Sequence, residues 1–121
     1  DCVGYNYRMP NLNAALGCGQ LSRMDDMRAR KRELARRYRE ALSSFSQVQW
    51  IDEPPECSSN FWLGAVLVDG GRAQRDELLS ATNEAGIMTR PIWDLLSGLP
   101  MYQQCPATDL STSRWLLDRV V

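Results

Sequence analysis

No histidine occurs among the 121 residues, so the commonest general base and the commonest nitrogen metal ligand are missing from any mechanism the chain can host. Lysine occurs once, as Lys31. The four cysteines, Cys2, Cys18, Cys57 and Cys105, form no C-x-x-C pair, which speaks against a zinc site and a dense disulfide framework; buried or incidental thiols are expected. The longest apolar run, Phe61 to Val68, has eight residues, where a membrane-spanning helix needs about 20. The start, Asp1-Cys2-Val3-Gly4, lacks a signal-peptide pattern, and a cytoplasmic location without membrane contact is the expectation. An excess of charge of either sign is also missing: 14 basic against 15 acidic groups leave a formal charge of −1, so no polyanionic partner is demanded.

What is present is ordinary globular composition, 44% hydrophobic and 24% charged, in a length suited to one domain with a two-layer core. Both ends read as cut. The chain opens inside a turn, Gly4-Tyr5-Asn6-Tyr7-Arg8-Met9-Pro10, and closes on Leu116-Leu117-Asp118-Arg119-Val120-Val121, an apolar helix end without a stop residue.

Residue periodicity gives the order of elements. Asn11 is placed to cap a first helix through Leu12, Ala15, Leu16 and Gln20, whose Gly17 and Gly19 permit close backbone packing. Ser22-Arg23-Met24-Asp25 resembles a capping box, and Met24, Met27, Lys31, Leu34, Tyr38, Ala41 and Phe45 then step by three and four along a long amphipathic helix. Val48 to Ile51 reads as a short strand stopped by Pro54-Pro55, and Phe61 to Val68 as a central strand. Ala73 to Ala85 is helical, with Gly86 at the left-handed cap position. Ile87 to Arg90 predicts another short strand, Trp93 to Pro106 a loop or broken helical turn, and Thr108 or Asp109 the cap of a final helix. The fold class predicted is α+β: a two-layer sandwich in which helices cover one face of a small, mainly antiparallel sheet.

Three groups of residues have the composition of a binding site. From Arg23 to Glu40 eight basic residues face four acidic ones. Nucleic-acid binding is one reading; a solvated helix face carrying intrahelical ion pairs is the other, and it is favoured because no second basic patch recurs. Lys31 lies in this run with its head free to reach water. A Schiff-base lysine instead needs a desolvated pocket, so Lys31 does not qualify. The turn Tyr5 to Arg8 sets an amide and a guanidinium just ahead of a helix start, suited to phosphate or carboxylate, although by pattern alone a surface turn whose polar groups satisfy the backbone is favoured. Thr89-Arg90-Pro91-Ile92-Trp93, with Tyr102 downstream, combines an anion contact with a stacking ring, although such aromatics more often serve a core.

Taken together these segments resemble the DegT/DnrJ/EryC1/StrS family of pyridoxal phosphate-dependent nucleotide-sugar aminotransferases, over essentially the whole chain. The most specific piece is Gly4 to Gly17 with Gln20-Leu21; Arg32 to Tyr38, Ser59 to Leu63, and Gly86 to Pro91 with Pro100-Met101-Tyr102 support it in the same order. The resemblance implies that residues 1–10 are an interdomain segment with a cofactor-site turn and residues 11–121 the small C-terminal domain of a fold-type I aminotransferase. It implies a homodimer with active sites at the subunit interface. There Asn6 reaches the cofactor phosphate, Arg8 contacts cofactor or substrate, and Tyr5, Arg90 and Trp93 line the nucleotide-sugar pocket. The implied reaction moves an amino group, usually from glutamate, to a keto carbon of a nucleotide-linked deoxysugar, for cell-surface polysaccharide. Asn60 to Leu63 and Thr89 to Trp93 are most like members that aminate 4-keto-6-deoxy-N-acetylhexosamine nucleotides for legionaminic-acid-type sugars. Nothing in the 121 residues supplies the family's Schiff-base lysine, so the chain alone is expected neither to retain pyridoxal phosphate nor to transaminate. A sugar dehydratase of the same family and a free-standing interaction module using the basic helix stand as alternatives.

Overall fold

The computed structural model describes residues 7–121. Its elements follow in the order α1 (Asn11–Leu21), α2 (Met24–Leu42), β1 (Val48–Trp50), β2 (Val66–Val68), α3 (Gly71–Glu84), two short 3-10 turns (Leu96–Gly98 and Pro100–Tyr102) and α4 (Ser111–Leu117). The class is α+β with a small antiparallel sheet, as the residue pattern implied.

β1 and β2 pair in antiparallel register, Val48 opposite Val68 and Trp50 opposite Val66. The far edge of β2 is closed by the end of the chain. Val66 and Val121 exchange amide-to-carbonyl bonds of 2.9 and 3.0 Å, the Val68 amide donates to the Arg119 carbonyl at 3.0 Å, and Leu67 bridges Val120. β2 is therefore flanked on both sides, which fits its uninterrupted Val-Leu-Val sequence. Val68 and Val120, 1% and 5% exposed, form one end of a small core; Ala35 and Phe61 form the other. α2 packs on β1 and α3 on β2.

At the α2 end, Tyr38 stacks on Trp50 with ring centroids 5.9 Å apart and planes 8° from parallel, and Phe61 tilts against the same indole at 6.4 Å. Gly64 lets this happen: a Cβ on residue 64 would sit 2.7 Å from the Trp50 ring. α3 and α4 are stitched by Arg75, buried at 7% exposure, which binds Asp76 and the Leu117 carbonyl, and by Arg72 on Asp118 at 2.7 Å.

Several sequence expectations give way. Asn11 lies inside α1, which is preceded by Pro10 with no side-chain cap, because proline's fixed φ already directs the chain into the helix. Ser22 ends α1, its hydroxyl on the Gly19 carbonyl, so no capping box opens α2. Along α2 only Ala35 is buried; Met24, Met27, Leu34 and Tyr38 stay 43–49% exposed. The expected strand from Phe61 shrinks to Val66–Val68, since Ser59 Oγ and Asn60 Oδ1 accept the amides of Phe61 and Trp62 at 3.0 Å each, and Phe61 takes φ +46°. Ile87 to Arg90 is not a strand, because the α3 cap claims its backbone. α4 stops at Leu117, and Val120-Val121 run on as extended chain rather than helix. Cys18, Cys57 and Cys105 are free and exposed, so the described thiols are incidental and not buried.

Candidate functional site

Asn83 lies in the last turn of α3, where the candidate site starts. α3 ends in a Schellman turn: the Gly86 amide donates to the Asn83 carbonyl at 3.0 Å and the Ile87 amide to the Thr82 carbonyl at 2.8 Å, with Gly86 at φ +78°. This reverses the chain and lays Thr89 against the last turn of the helix it has just left. There the Asn83 amide nitrogen donates to Leu79 O (2.7 Å), Thr89 O (3.1 Å) and Thr89 Oγ1 (3.0 Å), and the Thr89 and Thr82 hydroxyls lie 2.5 Å apart. Proton supply orders this network. Thr82 Oγ1 donates back into its helix, to Leu78 O at 2.8 Å and Leu79 O at 3.2 Å, which leaves Thr89 Oγ1 to donate to Thr82 while it accepts from Asn83.

Arg90 follows directly. Pro91 restricts its backbone to the extended region, and two residues on the Ile92 amide donates to the Val120 carbonyl at 3.2 Å. The main chain is thus anchored at Thr89 and at Ile92 while the Arg90 side chain between them is exposed. Among the described residues no carboxylate pairs with it. Trp93, 70% exposed, stands on the same segment, and Tyr102, 45% exposed, follows in the second 3-10 turn. An unpaired guanidinium and an uncovered indole on a fixed strap are what a phosphorylated, ring-bearing ligand would need.

Arg8 is exposed in the irregular chain leading to Pro10, and among the described residues no carboxylate pairs with it. Tyr5 and Asn6 lie outside the described residues. Among the described residues no hydrogen bond or ring contact joins Arg8 to Arg90 or Trp93.

The basic run behaves differently. On α2 Arg28 pairs with Asp25, Arg30 with Asp26, Arg36 with Glu33 and Glu40, and Arg37 with Glu33. Glu33, held by the Arg36 and Arg37 guanidinium groups, titrates at about 2. Arg39 reaches across to Asp52 at 2.6 Å. The favoured reading of a solvated, ion-paired face holds.

The same helix supplies a clamp that sequence reasoning missed. Arg32 meets Glu53 through two bonds of 2.9 and 2.7 Å and donates to Ser59 O at 2.9 Å, while Glu53 accepts the Ser59 amide at 2.6 Å. Arg32 also lies over the Phe61 ring, 5.5 Å from its centroid. The bidentate pair and the Ser59 amide hold the Glu53 carboxyl down at about 2. An open depression of about 350 Å³ beside it is lined by these paired charges. Because its charges already satisfy one another, it offers little to a ligand.

Lys31 Nζ donates to the Trp62 carbonyl at 3.4 Å from an exposed position. That is not the water-free pocket a Schiff-base lysine requires. The described residues therefore suit a contact to a cofactor phosphate, through Arg8, and not its covalent anchor. No group of three or more possible metal ligands occurs among them, and no helix of theirs is long and apolar enough to cross a membrane.

Comparison with known proteins gives a family match: the sequence profile described as the DegT/DnrJ/EryC1/StrS aminotransferase family covers residues 1–121. GDP-perosamine synthase of Escherichia coli O157:H7 is 36% identical over 104 residues, covering 86% of this chain and 28% of the relative. GDP-perosamine synthase of Vibrio cholerae is 36% identical over 104 residues, 85% of this chain and 28% of that protein. EpsN of Bacillus subtilis, assigned as a pyridoxal phosphate-dependent aminotransferase, is 31% identical over 100 residues, 83% of this chain and 26% of EpsN. The chain thus spans little more than a quarter of the length of these relatives.

Proposed function

The chain belongs to the DegT/DnrJ/EryC1/StrS aminotransferase family, and from that premise we propose that it is the small C-terminal domain of a pyridoxal phosphate-dependent enzyme aminating a nucleotide-linked 4-keto-6-deoxy sugar. Residues 1–10 are the interdomain segment and residues 11–121 the domain proper. Glutamate is the amino donor, the working unit is a cytoplasmic homodimer with active sites at the subunit interface, and the product serves cell-surface polysaccharide. The names of the two GDP-perosamine synthases support GDP as the first nucleotide to test. The N-acetylhexosamine substrate of the legionaminic branch is the second.

The observation that carries the substrate side is the strap from Thr89 to Ile92, tied at both ends with Arg90 unpaired between. Arg90 would hold a diphosphate oxygen and Trp93 would cover a ring, orienting the sugar and keeping water from one face. Asn6 and Arg8 would hold the cofactor phosphate. Pyridoxal phosphate, when bound, supplies the electron sink for amino transfer. Its covalent anchor belongs to polypeptide beyond these residues.

In the full-length enzyme, Arg90→Ala is expected to raise KM for the nucleotide sugar on the order of 10–100-fold, as for loss of a charge-assisted contact. Asn6→Ala is expected to weaken cofactor retention on dialysis. An unchanged KM and an unchanged pyridoxal phosphate affinity would remove the two site assignments. The interaction-module reading loses support from α2, whose arginines are ion-paired in place.

A further inference from the structure

We propose that Asn83, with Thr89, is the positioning residue that aims Arg90 at the nucleotide sugar, a role resting on the assignment of Arg90 to substrate. Asn83 sits in the last turn of α3, exposed, where an alanine would serve the helix itself at least as well. Its carboxamide ties its own helix to the chain that has turned back. One carboxamide proton goes to Leu79 O within the helix, and the other is shared by the carbonyl and hydroxyl of Thr89. The carboxamide oxygen faces the Thr89 amide at 3.4 Å. Thr89 is therefore held by its carbonyl and side chain, one bond away from the Arg90 backbone.

The Schellman turn alone does not fix this arrangement. It secures Gly86 and Ile87, and then Met88, 88% exposed, intervenes. Without the Asn83 and Thr82 bonds the backbone from Met88 to Pro91 would have no tie until the Ile92 amide meets Val120. A long, flexible arginine carried on such a stretch would lose the orientation that a two-oxygen contact needs. Asn83 acts through Thr89 and never on the substrate.

The test uses the full-length enzyme, GDP-linked and UDP-linked keto sugars, and glutamate. Asn83→Ala and Thr89→Val are expected to raise KM for the nucleotide sugar about tenfold, the scale of one misplaced hydrogen-bonded contact, with kcat within about twofold and KM for glutamate unchanged. Thr89→Ser, which keeps the hydroxyl, is expected to recover most of the loss seen in Thr89→Val. In an Arg90→Ala background, Asn83→Ala is expected to add nothing, because the group it aims is gone. An equal rise in KM for glutamate, or full additivity with Arg90→Ala, would reduce Asn83 to a structural cap and overturn the proposal. If Arg90→Ala itself leaves KM unaltered, the substrate assignment falls and the positioning role with it. An Arg90→Ala effect without an Asn83→Ala effect removes the positioning role alone.

Discussion

Arg32 and Glu53, 21 positions apart, face each other as planar groups joined by two bonds of 2.9 and 2.7 Å. Around that pair the whole loop from Glu53 to Trp62 is organised. Glu53 takes the Ser59 amide, Arg32 takes the Ser59 carbonyl and covers Phe61, and Phe61 is left in the left-handed region at φ +46°. A bulky residue is rare there, so the surrounding bonds must hold it.

The pair gives the acid limb of stability a defined sign. Glu53 is held at about 2 against an ordinary value of 4.5, so its contribution is complete above pH 4.5 and is lost as pH falls toward 2. Glu33, which lines the same depression beside α2, titrates in the same window. Glu53→Gln is expected to lower the melting temperature at neutral pH and to shallow its decline between those pH values. A melting curve whose acid slope is the same in both proteins would mean that the pair does not couple to folding.

Gly86 lies at φ +78° with nothing within 4 Å of where a Cβ would be. Gly86→Ala therefore meets no clash, and its whole cost is backbone conformation, about 1–2 kcal/mol. Urea unfolding should show that loss with an unchanged slope. A neutral substitution would mean that the turn relaxes to another closure of α3.

Lys31 is engaged with the Trp62 carbonyl on an open surface. Pyridoxal phosphate mixed with the 121-residue chain, then treated with borohydride, should leave no site-specific adduct on Lys31 beyond that on an unrelated surface lysine. Selective labelling there would restore Lys31 as an anchor.

The helices were legible from their periodicity, although none of the expected side-chain caps, Asn11, Ser22 or Thr108/Asp109, caps its helix. Gly86 stops α3 as read, and Asp109, accepting both the amide and the hydroxyl of Ser111, leads into α4. The failures share a physical cause, side chains competing with the backbone ladder. The triplet Ser58-Ser59-Asn60 ahead of Phe61 carried the warning, since Ser and Asn capture nearby amides and spoil strand pairing. Likewise Thr82-Asn83 in the last turn of a helix, ahead of a glycine, is where a returning segment finds polar partners. Of the candidate site, Arg8, Arg90 and Trp93 are all exposed. Tyr5 and Asn6 fall outside the described residues. The Arg32–Glu53 clamp had no local trace, because a pairing across 21 positions follows from the tertiary fold and not from spacing.

Gly64 sits against the Trp50 ring so closely that any larger residue would have to displace an indole already sandwiched between Tyr38 and Phe61. Positions 50 and 64 consequently cannot drift independently: a methyl group gained at one must be matched by bulk surrendered at the other. In an alignment of close homologues the two columns should change together or not at all.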